Sequence, residues 1–143
     1  MSFPATSGSK APSETDLLRA LEQDRFCLAY QPIVTATGHE LAYYEALLRY
    51  QADDGELHSA FPYIILAERL GLIGKLDRKA LQLARRALTQ QAGLKLSLNV
   101  SVGTLSDKNT ITAYLADLET MGAEASRIMV ELTETMALSN IED

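Results

Sequence analysis

Glu45, Asn99 and Glu131 carry oxygen atoms suited to binding a metal, and each lies near the carboxyl end of a segment predicted to form a strand. Carboxylate and amide oxygens, without clusters of cysteine or histidine, are the donors that Mg²⁺ or Mn²⁺ prefers. His39 and His58 have no ligand spacing around them and are interpreted as ordinary surface or loop residues. The residues therefore predict a site for a hard divalent cation and argue against zinc.

The segment 43–49 places a carboxylate and a guanidinium on one face. Side chains alternate along a strand, so Glu45, Leu47 and Arg49 point to one side, while the opposite side is apolar. The residues alone leave two interpretations open. Glu45 and Arg49 could form a simple ion pair at a strand end, or they could serve a ligand.

The segments that contain Asn99 and Glu131 alternate in a similar way. In residues 94–100 one face is built from leucines, and the face that includes Asn99 is polar. Exposure at a sheet edge would explain this polar face, and so would the polar mouth of a barrel. Glu131 follows the apolar residues 128–130, where a buried and unpaired carboxylate would be costly. A metal or a basic partner would relieve that cost.

Helical and strand patterns follow one another along the chain. Apolar spacing predicts helices at residues 16–23, 63–70, 76–90 and 107–121. Apolar runs and alternation predict strands at residues 26–34, 39–49, 94–100 and 127–133. The alternation of helix and strand in the second half predicts an α/β fold with parallel strands. Residues 1–13, rich in Ser, Pro, Ala and Gly, are predicted to form a flexible leader.

Charge and composition argue against several classes of protein. The net charge of −6 disfavours bulk binding of DNA or RNA. No stretch approaches the ~20 apolar residues that cross a bilayer, and the N-terminus lacks the pattern of a signal peptide. Cys27 is the single cysteine and cannot form an internal disulfide, so we expect a cytoplasmic protein without a membrane segment. P-loop, GxSxG and GxGxxG motifs do not occur.

Several segments, in order, resemble the landmarks of the EAL domain, a barrel that binds and usually hydrolyses the bacterial messenger cyclic di-GMP. YEALLRY, at residues 44–50, resembles the signature strand. The other matching segments are LAYQPIV at 28–34, LAERLGLI at 66–73, LSLNVS at 96–101 and VELTET at 130–135. The resemblance implies that residues 14–143 form the N-terminal portion of an EAL domain. The expected fold is a partial, truncated TIM-like barrel, in which a first strand pair precedes alternating helices and parallel strands.

The resemblance also implies a role for each matching residue. Glu45, Asn99 and Glu131 match the family's metal ligands. Arg49 matches an arginine that grips a phosphate of the ligand, as bidentate geometry favours. Leu47 matches the signature leucine that lines the ligand pocket.

Two further residues are candidates on the same grounds. Glu134 matches a glutamate that braces a neighbouring loop, and Gln31, at the end of the first strand, is a candidate contact to the ligand. One local departure is the run of residues 63–65, Tyr-Ile-Ile, where the family usually has Phe-Ile-Pro. This departure affects the entry into the following helix more than the chemistry.

The family's later landmarks, an aspartate pair in a DDFG-like loop, a lysine and a further glutamate, do not occur before Asp143. The resemblance implies a metal-dependent phosphodiesterase domain that converts cyclic di-GMP to pGpG. This domain is expected to be incomplete here and inactive alone, so the sequence leaves open whether the chain is an enzyme. The alternatives are a cyclic di-GMP receptor without catalysis and a protein-interaction module. An open parallel edge also predicts a homodimer or another protein partner.

Overall fold

The structure is a computed structural model that describes residues 11–133. Most of the predicted leader lies outside these residues, as does Glu134. The helices are α1 Glu14–Glu22, α2 Phe61–Arg69, α3 Ile73–Gln90, α4 Val102–Ser106 and α5 Lys108–Thr120, with a 3-10 helix at Gly122–Arg127. The strands are β1 Phe26–Val34, β2 Leu41–Gln51, β3 Leu57–Ser59, β4 Leu96–Ser101 and β5 Ile128–Thr133.

The strands form one open five-stranded sheet in the order β1-β2-β4-β5, with β3 added to the end of β2. β1 and β3 run antiparallel to β2. β4 runs parallel to β2, and β5 runs parallel to β4. The predicted α/β architecture, a strand pair followed by parallel strands with helical crossovers, is therefore confirmed. Within residues 11–133 the sheet does not close into a barrel.

One face of the sheet packs against helices α3 and α5. The larger core cluster joins apolar residues of β2 and β4 to the apolar stripe of α3 and to Tyr114 of α5. Leu88 and Ala84 of α3 are fully buried, and Leu96 and Leu98 of β4 are 1% exposed. Burial of a leucine side chain contributes roughly 1.5–3 kcal/mol, so this cluster fixes the position of β4 against α3.

A second core cluster holds α1 and α2 against the start of α3. Leu17 of α1 and Ala67 of α2 are fully buried in it. Ser13 caps α1, because its hydroxyl accepts a hydrogen bond from the Asp16 amide and the Asp16 carboxylate accepts one from the Ser13 amide. Helix α1 therefore begins at Glu14, two residues earlier than predicted.

Three short elements were not predicted. β3 has three residues, and α4 has five residues and no side-chain cap from its N-cap residue, so neither is long enough to show a period. The 3-10 helix occupies the start of the segment predicted as the last strand, which moves the beginning of β5 to Ile128. No helix within the described part of the chain is long and apolar enough to cross a membrane.

Arg127, the last residue of the 3-10 helix, fastens the C-terminal end of α3. Its guanidinium donates hydrogen bonds to the carbonyl oxygens of Gln91 and Leu94, both at 3.0 Å, and of Leu88 at 2.9 Å. Carbonyl groups in the last turn of a helix have no partner within the helix. Arg127 supplies such partners and ties the segment before β4 to the segment before β5.

Candidate functional site

The predicted site residues lie on the face of the sheet that is turned away from α3 and α5. Residues that face each other on paired strands share a side of the sheet. Glu45 faces Gln31 on β1 and Ser97 on β4, and Asn99 faces Glu131 on β5. The apolar neighbours on β4 point the other way into the core. We call the polar side the inner face.

Glu45 and Asn99 meet directly on the inner face. The Nδ2 atom of Asn99 donates a hydrogen bond of 3.1 Å to Oε2 of Glu45, and both residues are half-buried. In the register of the sheet Glu45 faces Ser97, which lies two residues before Asn99. The Cα atoms of Glu45 and Asn99 are therefore offset by about 7 Å along the strands, and the long glutamate side chain spans this offset. Asn99 donates through Nδ2, and its side-chain carbonyl oxygen accepts no hydrogen bond from the described residues, so it is available to a cation.

Glu131 lies beside Asn99 but in a different environment from the one predicted. The residue is exposed on β5, and its neighbours Met129 and Val130 are 47% and 40% exposed. The expectation that the run before Glu131 is buried is therefore wrong for the described residues. Its carboxylate carries no burial cost that a partner must relieve, and it is open to solvent and to a ligand.

Arg49 and Glu45 do not form the ion pair that the sequence left open. No carboxylate among residues 11–133 forms an ion pair with Arg49, and its Nη1 atom donates a hydrogen bond of 3.2 Å to the Leu48 carbonyl oxygen. On β1, Cys27 faces Arg49. Burial raises the pKa of the Cys27 thiol, and the positive charge of Arg49 partly offsets this increase. The guanidinium therefore keeps donors available for an anion.

A small cavity opens where β2 and β4 separate. The two strands pair only from Tyr44 to Ala46 on β2, and beyond this point β2 pairs with β3 instead. The cavity has a volume of about 180 Å³. Its lining includes inner-face residues Leu47, Arg49, Asn99, Ser101 and Thr133. The separation thus brings Leu47 and Arg49, two of the three predicted ligand contacts, to one opening beside Asn99, whereas Gln31 does not line it.

The polar face of β4 does not belong to a sheet edge. β4 pairs with β2 on one side and with β5 on the other. Ser97 and Ser101 are 1% and 4% exposed. The sheet-edge explanation is therefore wrong, and the polar face fits the inside of a partly built barrel. Gln31 lies on the same inner face but is exposed at the outer strand β1.

Sequence reasoning missed Asp77, a buried aspartate of α3 that is 8% exposed. Its Oδ2 atom accepts hydrogen bonds from the Ser101 amide at 2.9 Å and from the Thr104 hydroxyl at 2.5 Å. Burial raises the pKa of Asp77, while these hydrogen bonds oppose the increase. The sequence indicated that Asp77 is buried, because residue 77 lies on the apolar stripe of α3, four positions before Leu81.

A second group of possible ligand atoms lies on β3 and on the connection that leads to it from β2. Ligand atoms of Asp54, Glu56 and His58 lie within 4.8 Å of one another, and all three residues are exposed. His58 is therefore less isolated than its spacing predicted. Such exposed groups are common without a bound ion, and this group contains none of the predicted site residues.

Comparison with known proteins gives consistent results. The EAL domain family profile matches residues 14–143. The cyclic di-GMP phosphodiesterase PdeR of Escherichia coli K12 is 33% identical over 133 residues, covering 90% of this chain and 20% of PdeR. The PaMucR phosphodiesterase, solved as a c-di-GMP complex, matches with a TM-score of 0.70 at 27% identity, covering 90% of this chain and 54% of that one. The Xanthomonas citri FimX EAL domain, in complex with c-di-GMP, matches with a TM-score of 0.66 at 28% identity, covering 90% and 51%.

The chain thus spans about a fifth of PdeR and about half of these two solved chains. Its open sheet corresponds to part of the TIM-like barrel of its structural relatives. The matching region includes all described strands and both core clusters. The chain belongs to the EAL domain family.

Proposed function

We propose that residues 14–143 supply the cation-binding and phosphate-binding part of a cyclic di-GMP phosphodiesterase domain. The observation that carries this proposal is the contact between Glu45 and Asn99 on the inner face, with Glu131 in register beside Asn99. The relationship to PdeR and to EAL domains solved with c-di-GMP supports the choice of ligand.

The oxygen donors of Glu45, Asn99 and Glu131 fit Mg²⁺ or Mn²⁺. They offer two carboxylates and one amide carbonyl from neighbouring strands, which is the chemistry that hard cations prefer. The Asn99 to Glu45 hydrogen bond leaves the second Glu45 oxygen and the Asn99 carbonyl oxygen for the ion. A cation held there would supply a Lewis acid and a water of lowered pKa for phosphodiester hydrolysis.

Arg49, Leu47 and Gln31 would bind and orient the ligand. The Arg49 guanidinium lines the cavity without a carboxylate partner among the described residues, so its donors can engage a phosphate of cyclic di-GMP. Leu47 gives this opening an apolar wall. Gln31, directly across from Glu45, can contact the same ligand from the β1 side. Together they would hold one phosphodiester beside the cation ligands.

Mn²⁺ binding gives a direct test of the proposed cation ligands. We expect the free Mn²⁺ signal in electron paramagnetic resonance to fall when the chain is added. The substitution Glu45→Gln keeps the shape of the side chain and should abolish this decrease. Glu22→Gln, an exposed residue at the end of α1, is the matched control and should behave as the wild type. Equal Mn²⁺ binding by the Glu45→Gln variant and the wild type would refute the assignment.

A receptor without catalysis is the second candidate function. The FimX EAL domain was solved in complex with c-di-GMP and Arg49 lines the cavity, and both observations concern binding of the ligand without requiring hydrolysis. Chromatography of cyclic di-GMP after incubation with the chain and Mn²⁺ tests whether the chain itself hydrolyses the ligand. Formation of pGpG indicates hydrolysis by the chain itself. Binding without formation of pGpG indicates either a receptor or a ligand-binding site that requires residues outside this chain for hydrolysis.

A further inference from the structure

We propose that Asp77 is a positioning residue, which fixes the end of β4 so that Asn99 presents its oxygen to the proposed cation. This inference rests on the proposed function, but its structural part can be measured separately. Asp77 lies on α3, behind the sheet, whereas the side chain that it would position lies on the inner face. The link between them runs through the junction of β4 and α4.

Asp77 accepts hydrogen bonds from both parts of this junction, the end of β4 and the first turn of α4. Ser101 is the last residue of β4 and the N-cap residue of α4, and its backbone amide donates to Asp77. Thr104, in the first turn of α4, donates its hydroxyl to the same carboxylate oxygen. The Ser101 side chain makes no cap hydrogen bond to α4. A helix of five residues does not hold its shape alone, so α4 depends on this external anchor.

The start of α3, the helix that carries Asp77, packs closely against α4 and α5. A Cβ atom placed on Gly103 of α4 would lie 2.9 Å from the Cγ2 atom of Ile73, the first residue of α3. A Cβ atom on Gly74 would collide with the side chain of Thr110 in α5. Only glycine fits these two contacts without a shift of the neighbours. The start of α3 is therefore locked against α4 and α5, and Asp77 has little freedom to move.

The anchored junction is only two residues from Asn99. Ser101 and Asn99 point to the same face of β4, and both line the cavity together with Asp77 and Arg49. The Thr133 hydroxyl holds the other side of this strand end, because it donates a 3.1 Å hydrogen bond to the Val100 carbonyl oxygen. A change at Asp77 would therefore move the strand end that carries the Asn99 side chain.

Stability alone does not explain a carboxylate at this position. Asp77 is buried, and the ion pairs among residues 11–133 provide it with no cation. A buried carboxylate loses its hydration, and an apolar residue on the same helical stripe would avoid that cost. Burial raises the pKa of Glu68, a carboxyl group of α2, and the negative charge of Asp77 adds to this increase. The benefit of Asp77 lies in the geometry that it imposes on the β4–α4 junction.

The experiment combines variants of both partners. Asp77→Asn and Asp77→Ala alter the acceptor, and Thr104→Val removes one donor while keeping its shape. Thr104→Ser keeps the hydroxyl and should restore the wild-type behaviour. Ser97→Ala is the matched control on β4, because the Ser97 hydroxyl is buried with no hydrogen-bond partner among the described residues. Each variant is first checked for a cooperative thermal transition.

Nuclear magnetic resonance then reports the position of Asn99 directly. In Asp77→Ala and Thr104→Val we expect the Asn99 side-chain amide resonance to shift and the Ser101 amide to exchange faster with solvent. Mn²⁺ affinity should fall about tenfold or more, as for other residues that orient metal ligands. Thr104→Ser and Ser97→Ala should match the wild type in both readouts.

The two readouts separate the possible failures. An unchanged Asn99 resonance and unchanged Ser101 exchange in folded Asp77→Ala and Thr104→Val would overturn the positioning role. If the wild-type chain binds no Mn²⁺, the proposed function fails, while the resonance and the exchange rate still decide the positioning role. If Asp77→Ala does not fold, Asp77→Asn and Thr104→Val provide the same comparison.

Discussion

Replacement of Arg127 by methionine tests how the segments before β4 and β5 are held. Methionine keeps much of the aliphatic length of the side chain but loses three hydrogen bonds, to the carbonyl oxygens of Leu88, Gln91 and Leu94. Hydrogen bonds to charged groups contribute about 1.5–3 kcal/mol each in protected sites. Water can replace part of this contribution here, because one of the three bonds is exposed and two are partly buried. We therefore expect a loss of about 3 kcal/mol in the free energy of unfolding.

Equilibrium urea unfolding, followed by circular dichroism, measures this loss. A domain of this size should melt about 6–12 °C lower for a 3 kcal/mol loss. The matched control is Arg86→Met, because Arg86 is an exposed arginine of α3, and its substitution should change stability by less than about 0.5 kcal/mol. Arg127→Lys should recover only part of the stability, since an ammonium cannot reproduce the planar fork of a guanidinium. Equal unfolding midpoints for Arg127→Met and Arg86→Met would refute the reasoning.

The remaining predictions concern close packing, an unpartnered hydroxyl and pH. Gly74→Ala should lower the melting temperature, because the added methyl group collides with Thr110 and overpacking typically costs about 1–3 kcal/mol, whereas Gly93→Ala, with open space around it, should not. Tyr114→Phe should leave the free energy of unfolding unchanged or slightly higher, because the buried Tyr114 hydroxyl has no partner within residues 11–133, and a large loss in calorimetry would show a missed partner. The pKa of Asp77 is raised in the folded protein, so its contribution to stability is complete below the ordinary value of 3.8 and is lost as pH rises through the folded pKa. Urea unfolding should therefore show the stability of Asp77→Asn rising relative to that of the wild type over this pH range, and a pH-independent difference would contradict the assignment.

Strand alternation was sufficient to predict the inner face and part of the site. The period of two placed Glu45, Leu47 and Arg49 on one side and Asn99 on a polar side, and the register of the sheet brings these sides together. This worked because one face of each strand is strongly apolar and must cover α3 and α5. The α/β architecture could be predicted for the same reason.

Alternation could not reveal contacts that depend on tertiary structure. The Glu45 carboxylate accepts a hydrogen bond from Asn99 of β4 and is not paired with Arg49, and no pattern within β2 encodes this contact between strands. The sequence around Glu131 is apolar and predicts a buried strand. Glu131 is exposed because β5 is the outermost strand of the sheet within residues 11–133. Asp77 could have been noticed on the apolar stripe of α3, but its partner Ser101 lies 24 residues further along the chain.

Calorimetric titration of cyclic di-GMP into the chain tests the central claim most directly. The titration is performed with Mn²⁺ and repeated with a chelator, on the wild type and on Arg49→Ala, with Arg86→Ala as the matched control. If the proposed cation-binding and phosphate-binding residues form a site, we expect heat of binding that requires Mn²⁺, disappears in Arg49→Ala and persists in Arg86→Ala. Absence of binding by a folded wild-type chain, or equal binding by Arg49→Ala, would contradict the proposal that these residues form a cyclic di-GMP site.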